Sequence, residues 1–169
     1  MKRVLLTAVF AMFVGLVSAQ TEKGGWLVGA NLAGINYGFD SKVFSLGLNP
    51  QAGYFIADNV ALGASLHLGV DAPKDGDAVT SWGIGPFVRG YFGGTEKGKF
   101  FGQADVAFGG VESATSFGLG ATAGYAYFIT KNVALETGLG YTYLKPESVD
   151  GLSDIGLNVG FQIYLGGKK

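Results

Sequence analysis

The chain has no cysteine and only one histidine among its 169 residues. Without cysteine it cannot form a disulfide, carry a lipid on an N-terminal cysteine, or use a thiolate as a metal ligand or nucleophile. Charged residues make up only 15% of the sequence, and acidic and basic residues nearly balance. Binding to nucleic acid would call for an excess of basic residues, so no nucleic-acid partner is expected.

An apolar run at residues 4–17 follows two basic residues and ends in the small residues Val17-Ser18-Ala19. This pattern predicts a secretory signal peptide at 1–19 and a mature domain at 20–169. The run is shorter than the about 20 apolar residues that a membrane-spanning helix needs, so an uncleaved anchor is the less favoured alternative. Removal of the leader leaves ten basic residues against 13 acidic ones.

Glycine and aromatic residues are abundant, with 30 glycines and 14% aromatic side chains. Between residues 60 and 70, and again between 133 and 143, apolar side chains alternate with small or polar ones. A period of two places each set on one face of a β-strand. Both segments are therefore predicted to be transmembrane strands, and the glycine and aromatic excess fits a closed sheet.

Eight segments show this pattern, and each is long enough to cross a bilayer when tilted, which takes about 9 to 11 residues. The predicted fold is all-β: an eight-stranded antiparallel transmembrane up-and-down β-barrel. An even number of strands places both termini at one end, together with the short connections 57–59, 93–98 and 130–132. The predicted strands are about 25–36, 43–56, 60–70, 80–92, 99–109, 115–129, 133–144 and 154–165.

An ungapped internal repeat supports this division, because residues 53–69 match residues 126–142 and each copy covers a strand, a turn and a strand. Pro50 and Pro86 fall inside predicted strands. Since proline cannot donate a hydrogen bond to the ladder, a β-bulge is predicted at each.

The apolar face of the predicted strands carries no Asp, Glu, Lys or Arg. A cation at the bilayer midplane costs about 2–4 kcal/mol, so this face is predicted to meet lipid and the opposite face to line the lumen. A soluble ligand-carrying barrel would show the reverse arrangement. The aromatic residues predicted at the membrane interfaces are Trp26, Tyr54, Trp82, Phe92, Tyr127, Tyr143 and Phe161.

A polar network is predicted in the lumen, formed by Arg89, Gln103, Asp105, Glu136 and His67. Eight strands enclose an interior just wide enough for side chains to fill. Arg89 and Glu136 stand at similar distances from short turns, and Asp105 enters one strand further on, so the three charges are expected to pair. A structural plug is the favoured interpretation, and a gated pathway for ions or water is the alternative.

His67 is the one candidate for a general base, with Asp71 just beyond it and Ser81 at the start of the next strand. A lipid-hydrolysing barrel would need its nucleophile and base together and within reach of an acyl chain. Because Ser65 and His67 face the lumen rather than lipid, no catalytic residue is predicted. Asp71, Asp75 and Asp77 could hold a calcium ion loosely, but the spacing of segment 71–77 does not match a twelve-residue calcium loop. A solvated loop is therefore expected, without metal or cofactor.

The chain resembles the outer membrane β-barrel family of small OmpA-like and OmpX-like porin-type proteins, in the form common in Bacteroidetes. The residues that carry the resemblance are GYFIADNVALGASL, YFITKNVALETGLGY, GIGPFVRGYF and NVGFQIYL. It implies insertion by the outer-membrane assembly machinery, which reads an aromatic signal in the last strand that Phe161 and Tyr164 would supply. The chain departs from the family by ending Gly166-Gly167-Lys168-Lys169 instead of on Phe, and it lacks the peptidoglycan-binding domain of full-length OmpA relatives.

These observations predict a monomeric protein of the Gram-negative outer membrane with a structural, envelope-integrity or surface-interaction role. A narrow porin-like channel for ions or small solutes is the alternative, and a lipid A-modifying enzyme is less favoured. The expected partners are outer membrane lipid, lipopolysaccharide and the outer-membrane assembly machinery.

Overall fold

The structure is a computed structural model that describes residues 21–38, 43–95, 97–111, 114–146 and 151–166. The predicted signal peptide lies outside the described residues. Within them, no helix is long and apolar enough to span a membrane.

The described chain forms a closed barrel of eight antiparallel strands, in which each strand pairs with the next and the last returns to the first. The predicted fold class and strand count are confirmed. Several strands extend beyond the predicted bounds, because backbone pairing continues into residues predicted as loops. The strands are β1 (Trp26–Gly38), β2 (Val43–Ala57), β3 (Val60–Pro73), β4 (Val79–Thr95), β5 (Gly98–Val111), β6 (Ala114–Phe128), β7 (Val133–Pro146) and β8 (Leu152–Leu165).

The two faces of the barrel follow the alternation in the sequence. Leu62 and Leu135 are 50% and 51% exposed on the outside, whereas their neighbours Ala61 and Ala134 are fully buried in the lumen. The outer surface is an almost continuous apolar band, which is the surface that a bilayer requires.

Three tight connections, β2–β3, β4–β5 and β6–β7, lie at one end of the barrel, which we call the turn end. Asn59 adopts a φ of 64°, and Gly93 and Gly94 have φ of 57° and 89°, so these turns use the left-handed conformation that asparagine and glycine tolerate. We call the opposite end the loop end, and the corresponding halves of the lumen the turn half and the loop half.

The β-bulges predicted at Pro50 and Pro86 are wrong. Pro50 stays paired with Ala30, and Pro86 with Ala64. Pairing with the other neighbouring strand, β3 for Pro50 and β5 for Pro86, is interrupted for two residues and then resumes in the same register. Since the N–H and C=O of one strand residue point to the same neighbour, the missing donor interrupts one side only. The register shifts that do occur lie between Ala33 and Asn36, between Phe55 and Ala57, and between Phe92 and Thr95.

Candidate functional site in the barrel lumen

A buried ion pair closes the turn half of the lumen. Arg89 on β4 and Glu136 on β7 are 1% and 3% exposed, and Arg89 Nη1 lies 2.8 Å from Glu136 Oε2 and 3.0 Å from its Oε1. Arg89 Nε donates to Gln103 Oε1 at 2.8 Å. Because β4 and β7 are three strands apart in an eight-stranded barrel, the pair bridges the lumen from wall to wall.

Two tyrosine hydroxyls complete the hydrogen bonding around this pair. Arg89 Nη1 donates to Tyr91 Oη at 3.2 Å, and Tyr164 Oη donates to Glu136 Oε1 at 3.2 Å. The two hydroxyl oxygens are 2.9 Å apart. Since Tyr164 has already used its only hydrogen, Tyr91 must donate to Tyr164. The result is a directed ring in which both charges have additional partners, the condition under which a buried ion pair is tolerated.

Aromatic side chains surround this ring and fill the rest of the turn half. The Arg89 guanidinium carbon lies 4.5 Å from the centre of the Phe101 ring, close enough for a cation–π interaction. The Phe128 ring centre is 5.1 Å from that of Tyr164, and Phe55 packs against both tyrosines. We call the whole group the plug; it comprises Phe55, Arg89, Tyr91, Phe101, Gln103, Phe128, Glu136 and Tyr164.

The N-terminal residues close the turn end beyond the plug. Thr21 and Lys99 are 1% and 4% exposed, and Lys99 Nζ donates to Thr21 Oγ1 at 2.7 Å and to Asn59 Oδ1 at 2.9 Å. The Asn59 backbone N–H donates to the Thr21 carbonyl at 2.7 Å. In the described residues Lys99 has no carboxylate partner. Sequence reasoning missed this cluster, although Lys99 shares the lumen-facing phase of Gln103.

The loop half, in contrast, is a cavity of about 910 Å³. Its floor includes Arg89, Gln103 and Glu136, and its walls carry hydroxyl, amide and carboxylate groups. The cavity exists because many lumen-facing positions in this half have no side chain to fill it. These positions are Gly47, Gly69, Gly83, Gly109, Gly118, Gly120, Gly138, Gly140 and Gly156.

The predicted lumen network is only partly assembled as one group. Arg89, Gln103 and Glu136 come together. Asp105 lies over Gly120 on the cavity wall, where it contacts the Gln103 side chain but forms no ion pair with Arg89 among the described residues. The guanidinium of Arg89 is already occupied by Glu136, Gln103 and Tyr91. The expected pairing of three charges therefore involves Arg89 and Glu136 alone.

His67 lies on the cavity wall and contacts an amide instead of a catalytic partner. Its Nδ1 is 2.6 Å from Asn49 Oδ1. Ser65 donates to the carbonyl of Gly85, and Asp71 accepts from Ser45. In the described part of the chain no serine is hydrogen-bonded to His67, and no group of three or more acidic, His or Cys side chains could hold a metal. The absence of catalytic activity stays a prediction.

The predicted interface aromatics lie mainly on the outer surface. Trp26 and Tyr54 pair across β1 and β2, with ring centres 5.3 Å apart near the turn end. Tyr143 is half-buried, and the other predicted residues are between 39% and 54% exposed. Phe100 and Tyr125, which the prediction did not include, extend the turn-end row through a ring contact at 5.0 Å. Placement at a membrane interface stays a prediction.

The two residues proposed as the assembly signal lie on opposite faces of β8. Phe161 is 47% exposed on the outside, whereas Tyr164 is 1% exposed and belongs to the plug. Their recognition by the assembly machinery stays a prediction, because recognition concerns the chain before the barrel closes.

Comparison with known proteins agrees with this geometry. A sequence model described as Opacity family porin protein matches residues 77–165, more than half of the chain. The chain belongs to this family. No curated protein matches it. With the family shown, the resemblance to outer membrane β-barrels noted in the sequence is confirmed.

Solved structures resemble the fold of this Opacity-family barrel over nearly their full length. Neisserial surface protein A matches with a TM-score of 0.65 and 18% identity, over 83% of this chain and 97% of that one. Outer membrane protein OprG of Pseudomonas aeruginosa matches with a TM-score of 0.56 and 13% identity, over 90% and 100%. Outer membrane protein Ail of Yersinia pestis matches with a TM-score of 0.54 and 15% identity, over 85% and 100%. At such identities the likeness shows the fold alone.

Proposed function

We propose that this Opacity-family barrel is a monomeric, non-conducting and non-enzymatic outer membrane protein that supports envelope integrity or surface interactions. The observation that carries the proposal is the plug. The buried Arg89–Glu136 pair bridges the lumen, and the aromatic side chains around it leave the turn half filled. A lumen closed in this way gives solutes no through-path, so the functional surfaces are the outer wall and the loop end.

The partners follow from these two surfaces. The apolar outer wall suits outer membrane lipid and the acyl chains of lipopolysaccharide. Delivery there requires the predicted leader at 1–19 and the outer-membrane assembly machinery. No basic patch suited to nucleic acid is expected from a chain with 12 basic and 13 acidic residues.

The proposal can be tested on the mature chain folded in detergent. On a gel, unheated protein should migrate differently from boiled protein, because the closed barrel survives the detergent until heated. In planar bilayers, the same preparation should give no discrete conductance steps. Conductance steps in the wild-type protein would overturn the non-conducting proposal. The absence of a mobility shift would contradict the proposal that the chain folds as a membrane-embedded barrel. Hydrolysis of lipid A that is lost in His67→Ala would contradict the non-enzymatic proposal.

A narrow channel is the second candidate, favoured by one observation. The cavity reaches from the loop half down to Arg89 and Glu136, so the route is blocked over the turn half only. If the plug opens, Arg89→Ala should change the amplitude or frequency of conductance steps, whereas Ser45→Ala, at the cavity wall, should not. Unchanged conductance in Arg89→Ala would exclude a route through the plug.

A further inference from the structure

The seam between β1 and β8 is incomplete in the loop half. The ladder runs from Trp26–Leu165 to Ala33–Asn158 and stops there, although β1 continues to Gly38 and β8 begins at Leu152. Among the described residues, the first six of β8, Leu152–Leu157, pair with β7 alone. On the β1 side their backbone groups have no strand partner.

The cavity reaches this seam. Five successive residues of β8, from Asp154 to Asn158, line it, which is the longest uninterrupted run on any described strand, although outward-facing residues of other strands, such as Val70 and Trp82, line it too. Leu157 is 73% exposed and Ile155 66%, more than any other large apolar side chain of the described residues. Among the described residues, a Cβ added to Gly156 would meet no atom within 4 Å. The seam is therefore an opening with an apolar outer rim and a polar interior.

An open strand edge at membrane depth needs a polar partner. In hydrocarbon each unsatisfied backbone group costs several kcal/mol, which is why spanning sheets normally close completely. Ile155 and Leu157 belong to the lipid-facing series of β8, so the open edge lies beside the bilayer. A molecule with a polar head and an apolar tail matches the polar cavity on one side of this opening and the lipid on the other.

The charge of the cavity selects the polar group. In the part of the chain that the structure describes, the lining includes Asp71, Asp105 and Asp154 but no lysine, and its one arginine is already paired with Glu136 at the floor. None of the three aspartates forms an ion pair among the described residues. Low-dielectric walls strengthen such a one-sided field, which favours a cation. Asp154 and Asn158 flank the open space at Gly156 and offer a carboxylate and an amide to the cavity, with the Asn158 amide lying over Gly140 of β7.

We infer that the β1–β8 seam admits a single-chain amphiphile with a cationic amine head. The amine lies in the cavity beside Asp154 and Asn158, and the alkyl chain leaves between β1 and β8 along Ile155 and Leu157. This binding needs no opening of the plug, so it is independent of whether the barrel conducts.

The experiment uses the absence of cysteine, because a single introduced cysteine is then the only thiol. The full mature barrel carrying Gly156→Cys is placed in phosphatidylcholine nanodiscs and labelled with a neutral water-soluble maleimide. Dodecylamine, at about ten times its dissociation constant, should slow labelling about tenfold. Ser81→Cys, on the cavity wall of β4, is the matched control and should label at an unchanged rate.

Three further measurements separate charge, chain and position. Dodecyl sulfate, with the same chain and the opposite charge, should not protect Gly156→Cys. Butylamine, which has the amine but too short a chain, should not protect it either; equal protection would mean that the amine arrives from water and would overturn the lateral route. Adding Asp154→Asn should abolish protection by dodecylamine. If dodecylamine protects neither cysteine, or protects both alike, the seam is not an amine site and the inference fails.

A blocking variant tests the same opening without a label. Gly156→Phe places a ring in the open space of the seam, and native mass spectrometry should show loss of bound dodecylamine. Gly102→Phe adds the same ring on the lipid face of β5, where a Cβ meets only Phe92 at 3.9 Å, and should leave binding intact. Retained binding in Gly156→Phe would contradict the proposed position. Heat-dependent gel mobility of both variants verifies that they fold.

Discussion

The two halves of the lumen share the same eight strands but differ in what the lumen-facing positions carry. On β4 the inward series reads Tyr91, Arg89 and Phe87 in the turn half, then Gly85, Gly83 and Ser81 towards the loop end. The first three side chains fill their half, whereas Gly83 and Ser81 line the cavity. The strand framework therefore does not decide whether the lumen of an eight-stranded barrel is filled. The volume of the inward side chains decides it, position by position.

The largest expected effect comes from breaking the ion pair of the turn half. Glu136→Ala leaves Arg89 buried without its counter-charge and should lower the free energy of unfolding by about 3–5 kcal/mol. Replacing both residues, as Arg89→Met with Glu136→Leu, should recover most of this loss. Denaturant titration of the folded barrel, followed by the fluorescence of Trp26 and Trp82, measures both.

The matched control for Glu136→Ala removes a carboxylate from the loop half. Asp154 is exposed on the cavity wall and has no ion-pair partner among the described residues. Asp154→Ala should therefore leave the unfolding free energy unchanged within error. An equal loss of unfolding free energy in Glu136→Ala and Asp154→Ala would contradict the view that a buried carboxylate of the turn half contributes more stability than an exposed one of the loop half.

The sequence alone predicts the framework better than the contents of the lumen. Alternation fixes the face of each residue, so the inward position of Arg89 and Glu136 follows from the period of two. Which inward groups meet depends on the register between strands. Arg89 lies opposite Gln103 on β5, so Asp105, two residues further along, lies diagonally from Arg89 and over Gly120. Thr21 was missed because an N-terminal segment outside the strands carries no periodic signal.

The open seam was equally beyond the sequence pattern. The alternation of β8 runs unbroken from Ile155 to Leu165 and gives no sign that pairing with β1 stops at Asn158. The stop follows from β1, whose register with β2 shifts between Ala33 and Asn36. A shift in one strand changes the edge that it presents to its other neighbour, which only the assembled sheet reveals.

A second, smaller effect is expected from adding one methyl group to a glycine of each half. In the turn half, a Cβ on Gly63 would collide with the carbonyl of Ala52 and the ring of Phe87. Gly63→Ala should therefore destabilise the barrel by about 1–3 kcal/mol. In the loop half Gly156 faces open space, so Gly156→Ala should be neutral, or stabilising by up to about 1 kcal/mol through the unfolded chain.

Both alanine variants lose the same backbone freedom in the unfolded state, so the difference between their unfolding midpoints reports the folded barrel alone. A difference near zero would mean that the turn half can relax around an added methyl group. The turn half would then be less tightly packed than the burial of Phe87, at 1% exposure, indicates.

The smallest effect is expected where the turn half meets the N-terminal segment. Thr21→Val keeps the shape of the side chain but removes one of the two oxygens that accept from Lys99 Nζ. The loss should be about 1 kcal/mol, because Asn59 still accepts from the same ammonium group. Its loop-half counterpart, Ser45→Ala, removes a hydroxyl that donates to Asp71 at an exposed site, where water replaces it. The Ser45→Ala midpoint should therefore stay at the wild-type value, and a shift equal to that of Thr21→Val would mean that burial at the turn end contributes nothing to this hydrogen bond.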